Sequence, residues 1–185
     1  MDVWEAVEKR KTIRVFKEGV SEELLKKIIL AGTKAPSPRN TQPWEFIIVN
    51  DPKIIEKIAE QKYKMHINSG STEEHAMSQR NVLKNSSVVA VCYRKGGLAN
   101  IAAWMATLNM ALVATAEGLG SVMSTMIGEH KDAVEQILCL PEEYELATVM
   151  VIGVPVSIPQ RREIGVERPD FSWLHIDRFG STTTP

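Results

Sequence analysis

The chain alternates stretches in which apolar residues return at helical spacing with short continuous apolar runs. The helical spacing predicts amphipathic helices in the first third of the chain and a long apolar helix near its middle. Asp2, Ser21 and Asp51 precede the first of these stretches and belong to the residue types that cap helix N-termini. The predicted helices run from 2 to about 10, from 21 towards the prolines at 36 and 38, from 51 through 58, from 98 to 117, and from 131 to 138.

The continuous apolar runs are rich in β-branched residues, which is typical of buried strands. They predict strands at 46–49, 87–93 and 147–153, with a shorter segment at 122–126. Residues 60–80 are the most polar part of the chain and interrupt the helical periodicity until helical character resumes near Glu73, so a lid is predicted there. No internal repeat is visible, and strands and helices are interspersed throughout the sequence.

Composition limits the class of protein. The 185 residues form one domain, and 22 Lys+Arg against 23 Asp+Glu exclude a generally basic nucleic-acid binder. The first residues do not resemble a signal sequence, and no run of 18 uninterrupted apolar residues occurs. We therefore expect a cytoplasmic protein that binds neither nucleic acid nor membrane.

Cysteine and histidine spacing gives no sign of a metal site, so no metal is predicted. Cys92 and Cys139 are 47 residues apart, and we interpret both as reduced, buried thiols. The histidines lack metal-binding spacing and are predicted on the surface or in the lid. They are His66, His75, His130 and His175.

The densest basic cluster is Lys9-Arg10-Lys11-Thr12-Ile13-Arg14, directly after the first predicted helix. Guanidinium groups, a hydroxyl and free backbone amides in one short segment suit a phosphate. The same residues also suit a solvated helix end, because cations complement the negative pole of the helix dipole. The cluster alone supports both interpretations.

A second segment, at 35–44, precedes a predicted strand and reads Ala-Pro-Ser-Pro-Arg-Asn-Thr-Gln-Pro-Trp. Together with the basic cluster it resembles the nitroreductase family of FMN-dependent oxidoreductases. Further similarity lies in Glu117-Gly118-Leu119-Gly120-Ser121 after the long helix and in Ile152-Gly153-Val154-Pro155 at the end of the last strand. The family positions are occupied by Arg10, Thr12, Arg14, Phe16, Pro36, Ser37, Asn40, Gln42, Pro43 and Trp44.

The resemblance implies an α+β fold with three layers, α/β/α, around a mixed, mostly antiparallel sheet. It also implies a homodimer with FMN at the subunit interface, much of which the helix at 98–117 would form. The single domain would span 1–185, with 155–185 as a C-terminal arm. Phe171, Trp173, Leu174 and Phe179 make that arm apolar enough to pack on the partner subunit.

The family pattern assigns FMN contacts residue by residue. It places Arg10, Lys11 and Thr12 near the phosphate and ribityl chain, with Arg161 or Arg162 reaching the phosphate from the tail. Arg14 would lie at the flavin pyrimidine edge, where reduced FMN carries negative charge, and would raise the reduction potential. The order and spacing of the family motifs thus favour the phosphate interpretation of the basic cluster.

Two further segments would complete the site. The first segment, Pro36, Ser37, Pro38 and Asn40, would reach the flavin of the other subunit. The second, Met123, Ser124, Thr125 and Met126, would lie over the flavin face, with the backbone of Ser124 and Thr125 near N5. Asn81 ends the tetrad Ser78-Gln79-Arg80-Asn81, where larger relatives have Asn-x-x-Lys, so the pyrimidine edge would lose one cation.

The activity implied is hydride transfer from NADH or NADPH through FMN to an electron-poor acceptor, such as a nitroaromatic or quinone, with ping-pong kinetics. Because the cofactor carries the redox chemistry, no catalytic side chain is predicted. Two alternatives are a reductive dehalogenase or other flavin-dependent reaction on the same fold, and a non-enzymatic flavin-binding or sensing protein. For the dehalogenase, Glu60, Tyr63 and Lys64 do not form a convincing clamp for an amino-acid zwitterion.

Overall fold

The computed structural model of the chain describes residues 1–158 and 173–180. These residues form an α+β fold in which helices cover both faces of one sheet, as expected. The helices are α1 (Val3–Lys9), α2 (Glu22–Gly32), α3 (Pro52–Asn68), α4 (Glu73–Asn81), α5 (Ala99–Ala116) and α6 (Gly128–Ile137). The strands are β1 (Phe16–Glu18), β2 (Trp44–Val49), β3 (Ser87–Arg94), β4 (Gly120–Ser124) and β5 (Tyr144–Pro155).

The sheet is organised around β5, a strand of 12 residues. Strand β3 pairs with β5 and β2 pairs with β3, while β4 and the short β1 also pair with β5. All these pairs are antiparallel, and Met150 of β5 lies opposite both Val89 of β3 and Met123 of β4. The one parallel contact described is the isolated bridge between Thr12 and Ser121.

Both faces of the sheet are buried, which explains why β3 and β5 are continuous apolar runs. Alternate residues of these strands point to opposite faces. On one face α2 and α5 pack through Ile28 and Met110 on Val89, Val91, Met150 and Ile152. On the other face α3 and α6 pack through Ile58 and Val134 on Val88, Ala90, Cys92, Val149 and Val151.

Side-chain caps begin four helices where the sequence places capping residues. Asp2 accepts a hydrogen bond from the Glu5 amide at 2.8 Å, and Asp51 accepts one from the Lys53 amide at 2.8 Å. The hydroxyls of Ser21 and Thr72 act in the same way at the starts of α2 and α4. Each cap satisfies a backbone N–H that the helix itself leaves free.

Helix α5 is apolar on two sides. Its alanine-rich side is buried between the sheet and α2, and includes Ala103 and Ala106 at 0% exposure. Its other side carries Ile101, Met105 and Leu108, which together with Leu98, the residue directly before the helix, are 42–58% exposed. By length and composition alone α5 is long and apolar enough to cross a membrane, but its buried side serves the core of the fold.

The structure corrects several details of the sequence analysis. Helix α3 continues to Asn68, so the break in the polar stretch is confined to 69–72 between two helices. Cys139 is exposed rather than buried, because it follows α6 in a left-handed conformation with φ 53°. Cys92 is buried, and burial raises the pKa of its thiol to about 12. His130 is buried between Gln61 and Asn68 of α3, not on the surface.

Candidate functional site

The basic segment, residues 10–14, leaves α1 and runs alongside the start of β4. The Ile13 amide donates a hydrogen bond to the Ser121 carbonyl at 3.0 Å. Ile13 is 5% exposed, whereas Thr12 and Arg14 on either side of it are exposed. This alternation places Thr12 and Arg14 on the opposite side of the segment from the core.

The other basic residues of the cluster lie in different surroundings from one another. Arg10 is half-buried at the C-terminal end of α1, and exposed Lys9 pairs with Glu5 at 2.5 Å. Lys11 lines a cavity of about 440 Å³ together with Ile13 and Leu119. Lys11 therefore borders the side of the segment that Ile13 occupies, and the structure does not bring it together with Thr12 and Arg14.

The close approach of the basic segment to β4 depends on Gly120. A Cβ atom at this position would lie 2.7 Å from the Ile13 Cβ, nearer than side chains pack. Any larger residue would therefore displace Ile13, and with it the backbone that carries Arg10, Thr12 and Arg14.

We expect Gly120→Val to lower the free energy of unfolding by about 2 kcal/mol, because a buried, well-packed site cannot accept the added volume. Urea denaturation measures the effect. Ala116→Val is the control, since it places a valine on the exposed last turn of α5. Equal stability of the two variants would contradict the packing described here.

The second part of the site is the segment at 123–126, where β4 ends. Ser124 and Met126 are 3% exposed, and Met123 and Thr125 are half-buried. The Ser124 hydroxyl oxygen is buried and has no hydrogen-bond partner among the described residues. Buried hydroxyls in native proteins are almost always hydrogen-bonded. This orphaned group therefore fits a polar ligand atom.

Lys62 of α3 joins this segment, and the sequence analysis did not select it. It is 7% exposed, and its Nζ donates a hydrogen bond to the Thr125 carbonyl at 2.8 Å. Burial, and then the charge of nearby Arg14, lower the pKa of Lys62 to about 8. The cation of α3 thus contacts the residue that follows β4, and the charge of Arg14 in the basic segment acts on it.

Beyond Lys62, α3 and α4 carry two histidines in contact. The His66 and His75 rings meet edge to face with centroids 5.1 Å apart. Burial lowers the pKa of His66, and Lys62 and His75 add to the shift. The Nε2 atom of His66 is buried without a hydrogen-bond partner among the residues described.

The loop at 36–42 is shaped by three residues other than glycine in the left-handed region, Arg39, Asn40 and Gln42. The Ser37 hydroxyl accepts from the Gln42 amide at 3.0 Å, and the Asn40 side chain accepts from the Gln42 side chain at 3.2 Å. Left-handed residues of this kind cost energy and often occur at functional sites. Pro36, Pro38 and Asn40 are exposed, and no hydrogen bond described here joins them to residues 10–14 or 123–126.

The remaining predicted residues do not join the cluster. Asn81 is exposed at the end of α4, and its neighbour Arg80 pairs with Glu56 and Glu60 of α3. Arg161 and Arg162 lie outside the described residues, as does Phe171. Residues 1–158 and 173–180 contain no group of three or more His, Cys, Asp or Glu that could hold a metal ion.

Comparison with known proteins gives consistent results. A protein of Archaeoglobus fulgidus, provisionally named NADH dehydrogenase/NAD(P)H nitroreductase, is 30% identical over 79% of this chain and 81% of its own. The iodotyrosine deiodinase of Thermotoga neapolitana is 26% identical over 83% of this chain and 88% of its own. An iodotyrosine deiodinase structure with FMN and 3-iodo-L-tyrosine superimposes with a TM-score of 0.73, at 26% identity, covering 92% of this chain and 100% of that one.

The family model described as the nitroreductase family matches residues 7–154, from within α1 almost to the end of β5. That range includes the basic segment, the loop at 36–42, Lys62 and the segment at 123–126. The chain belongs to the nitroreductase family.

Proposed function

We propose that this protein is a homodimeric, FMN-dependent oxidoreductase that passes electrons from NADH or NADPH to an electron-poor acceptor such as a nitroaromatic or quinone. The observation that carries the proposal is the meeting of the basic segment with the start of β4, the strand that ends at the orphaned Ser124 hydroxyl. Family membership supports the enzyme class. FMN in a related structure and the NAD(P)H-linked name of a relative support the cofactors.

The residues present fit FMN. Arg10 and Thr12 would hold the phosphate, because guanidinium and hydroxyl groups are good donors to phosphate oxygens. Arg14 would lie at the pyrimidine edge, and the backbone of Ser124 and Thr125 would lie near N5. Arg161 or Arg162 remains the predicted phosphate contact from the tail. When bound, FMN supplies the two-electron chemistry, and these residues position it and limit access to it.

A second copy of the chain would complete the site. The exposed apolar stripe of α5 would cost free energy if it stayed in water, and it matches the fully buried core of a subunit interface. Pro36, Pro38 and Asn40 are exposed, and together with Ser37 they would reach the flavin of the partner subunit. The tail residues Trp173, Leu174, Ile176 and Phe179 are 43–94% exposed and would form an arm on the partner.

Reductive dehalogenation is a second candidate, favoured by the similarity to iodotyrosine deiodinases. The surroundings of Glu60 argue against an amino-acid clamp. Glu60 lies 3.5 Å from Arg80 and 3.9 Å from Lys64, so its carboxylate is already engaged on the outside of α3. We therefore place the nitroaromatic or quinone acceptor first, with residues 60–80 as the lid on its side of the site.

The test is the visible spectrum of the purified protein under anaerobic conditions. We expect a yellow protein that binds FMN in equal amount with the chain, loses its colour on addition of NADH or NADPH, and regains it with a nitroaromatic or quinone. Initial rates should give the parallel double-reciprocal lines of a ping-pong reaction.

Three results would contradict this proposal. A preparation that stays colourless after incubation with FMN would exclude the cofactor. A yellow protein that NAD(P)H bleaches extremely slowly would favour a flavin-binding or sensing role. Release of iodide from iodotyrosine by the dithionite-reduced protein, with little turnover of nitroaromatics, would favour the dehalogenase.

A further inference from the structure

Lys62 is an unusual lysine because it is buried without a negative partner. It is 7% exposed, and its Nζ donates to a neutral group, the Thr125 carbonyl, at 2.8 Å. No carboxylate lies within ion-pair distance of Lys62 in residues 1–158 and 173–180. Lysines are almost never fully buried unless they are paired, since removing an ammonium group from water is costly.

The groups facing Lys62 increase this cost instead of reducing it. Arg14 of the basic segment is close enough for its charge to disfavour the ammonium form. His66, one turn further along α3, is near enough that Lys62 disfavours its charged form as well. Lys62 of α3 and Arg14 of the basic segment are therefore close to each other, and Lys62 contacts Thr125, the residue that follows Ser124. Such an arrangement becomes favourable when an anion lies between the cations.

We propose that Lys62 is the second cation at the pyrimidine edge of FMN, opposite Arg14, where it stabilises the reduced cofactor. The inference rests on the proposed function. Hydride transfer from NAD(P)H to bound FMN would deliver two electrons and one proton and release NAD(P)⁺, which would leave one negative charge at N1 and O2. Lys62, hydrogen-bonded to Thr125 of the segment expected over the flavin face, would meet that charge.

The position of Lys62 changes one expectation from the sequence. The replacement of a lysine by Asn81 predicts a pyrimidine edge with one cation fewer, and therefore a less oxidising flavin. Asn81 is exposed at the end of α4, whereas Lys62 brings a cation to the site from α3. A different helix thus supplies the charge at the pyrimidine edge, so the flavin has the reduction potential expected for two cations instead of one.

The test compares the FMN-loaded wild type with Lys62→Met and Lys62→Arg, each equilibrated anaerobically with a reference dye. At a fixed solution potential we expect the ratio of reduced to oxidised FMN to fall about tenfold in Lys62→Met, because a nearby charge in a partly buried site is worth at least that much. Lys62→Arg should restore most of the ratio. Lys64→Met is the control, since Lys64 is exposed on the same helix and pairs with Glu60.

A purely structural role for Lys62, as an anchor for Thr125, would leave the ratio unchanged in Lys62→Met and would overturn the proposal. If Lys62→Met binds FMN weakly, its separate affinities for oxidised and for reduced FMN measure the same preference of the site for the reduced cofactor. A loss about tenfold larger for reduced FMN supports the role, and equal losses overturn it. A wild type that binds no FMN would instead refute the proposed function.

Discussion

Replacement of Arg10 by alanine is expected to weaken FMN binding about 100-fold while the protein stays folded and dimeric. A charge-assisted hydrogen bond to phosphate is worth about 1.5–3 kcal/mol, and Arg10 would form such bonds at a half-buried position. The described residues give Arg10 no ion pair with a carboxylate, so its loss should cost the fold little. Titration of the apoprotein with FMN, followed by flavin fluorescence, measures the affinity.

The matched control for Arg10→Ala is Lys9→Ala. Lys9 precedes Arg10 in the chain but is exposed and pairs with Glu5 at 2.5 Å on the outside of α1. Removing an exposed helical ion pair costs little, so Lys9→Ala should bind FMN nearly as the wild type does. Equal affinity of the two variants would mean that the cluster is a solvated helix end.

Ile101→Asp is expected to raise the dissociation constant of the dimer about 1,000-fold or more and to release FMN in the same step. Ile101 lies in the exposed stripe of α5 and is 48% exposed in the single chain. In a two-fold symmetric dimer each substitution occurs twice, and burying two carboxylates without partners is strongly unfavourable. Analytical ultracentrifugation measures the association, and the absorbance of retained flavin measures the second effect.

Asn100→Asp is the control for Ile101→Asp because it places the same charge on an adjacent exposed residue outside the stripe. It should remain dimeric and yellow. If Ile101→Asp also stays dimeric, the stripe is not the interface. If that variant becomes monomeric but keeps its full FMN content, the loop at 36–42 does not act across the interface.

The sequence predicts the core of the fold well because the core elements have strong local signals. Strands β3 and β5 are continuous apolar runs, and α2 and α3 begin at capping residues that the structure confirms. Strand β1 was missed because its three residues include one buried side chain, Phe16, and leave no visible alternation. Its pairing with β5 is a tertiary contact that no short window of sequence contains.

The candidate site was predicted less completely, for physical reasons that differ by residue. Lys62 was missed because a lysine is usually solvated, although Ile58, Lys62 and Met65 share one face of α3 and give a signal at helical spacing. Lys11 was grouped with the phosphate residues because it adjoins Arg10 and Thr12. The structure places Lys11 beside Ile13 at a cavity, and its contact with the phosphate stays a prediction.

The late position of β5 in the chain affects how the protein is made. Strands β1 and β4 have β5 as their strand partner, and the basic segment is held in turn by the start of β4. During synthesis β1 and β4 would lack the strand with which they pair until residues 144–155 have emerged from the ribosome. The pairing of β1 with β5 joins positions near the two ends of the domain, a separation that slows folding. The nascent chain would therefore assemble the candidate site only after β5 has been synthesised.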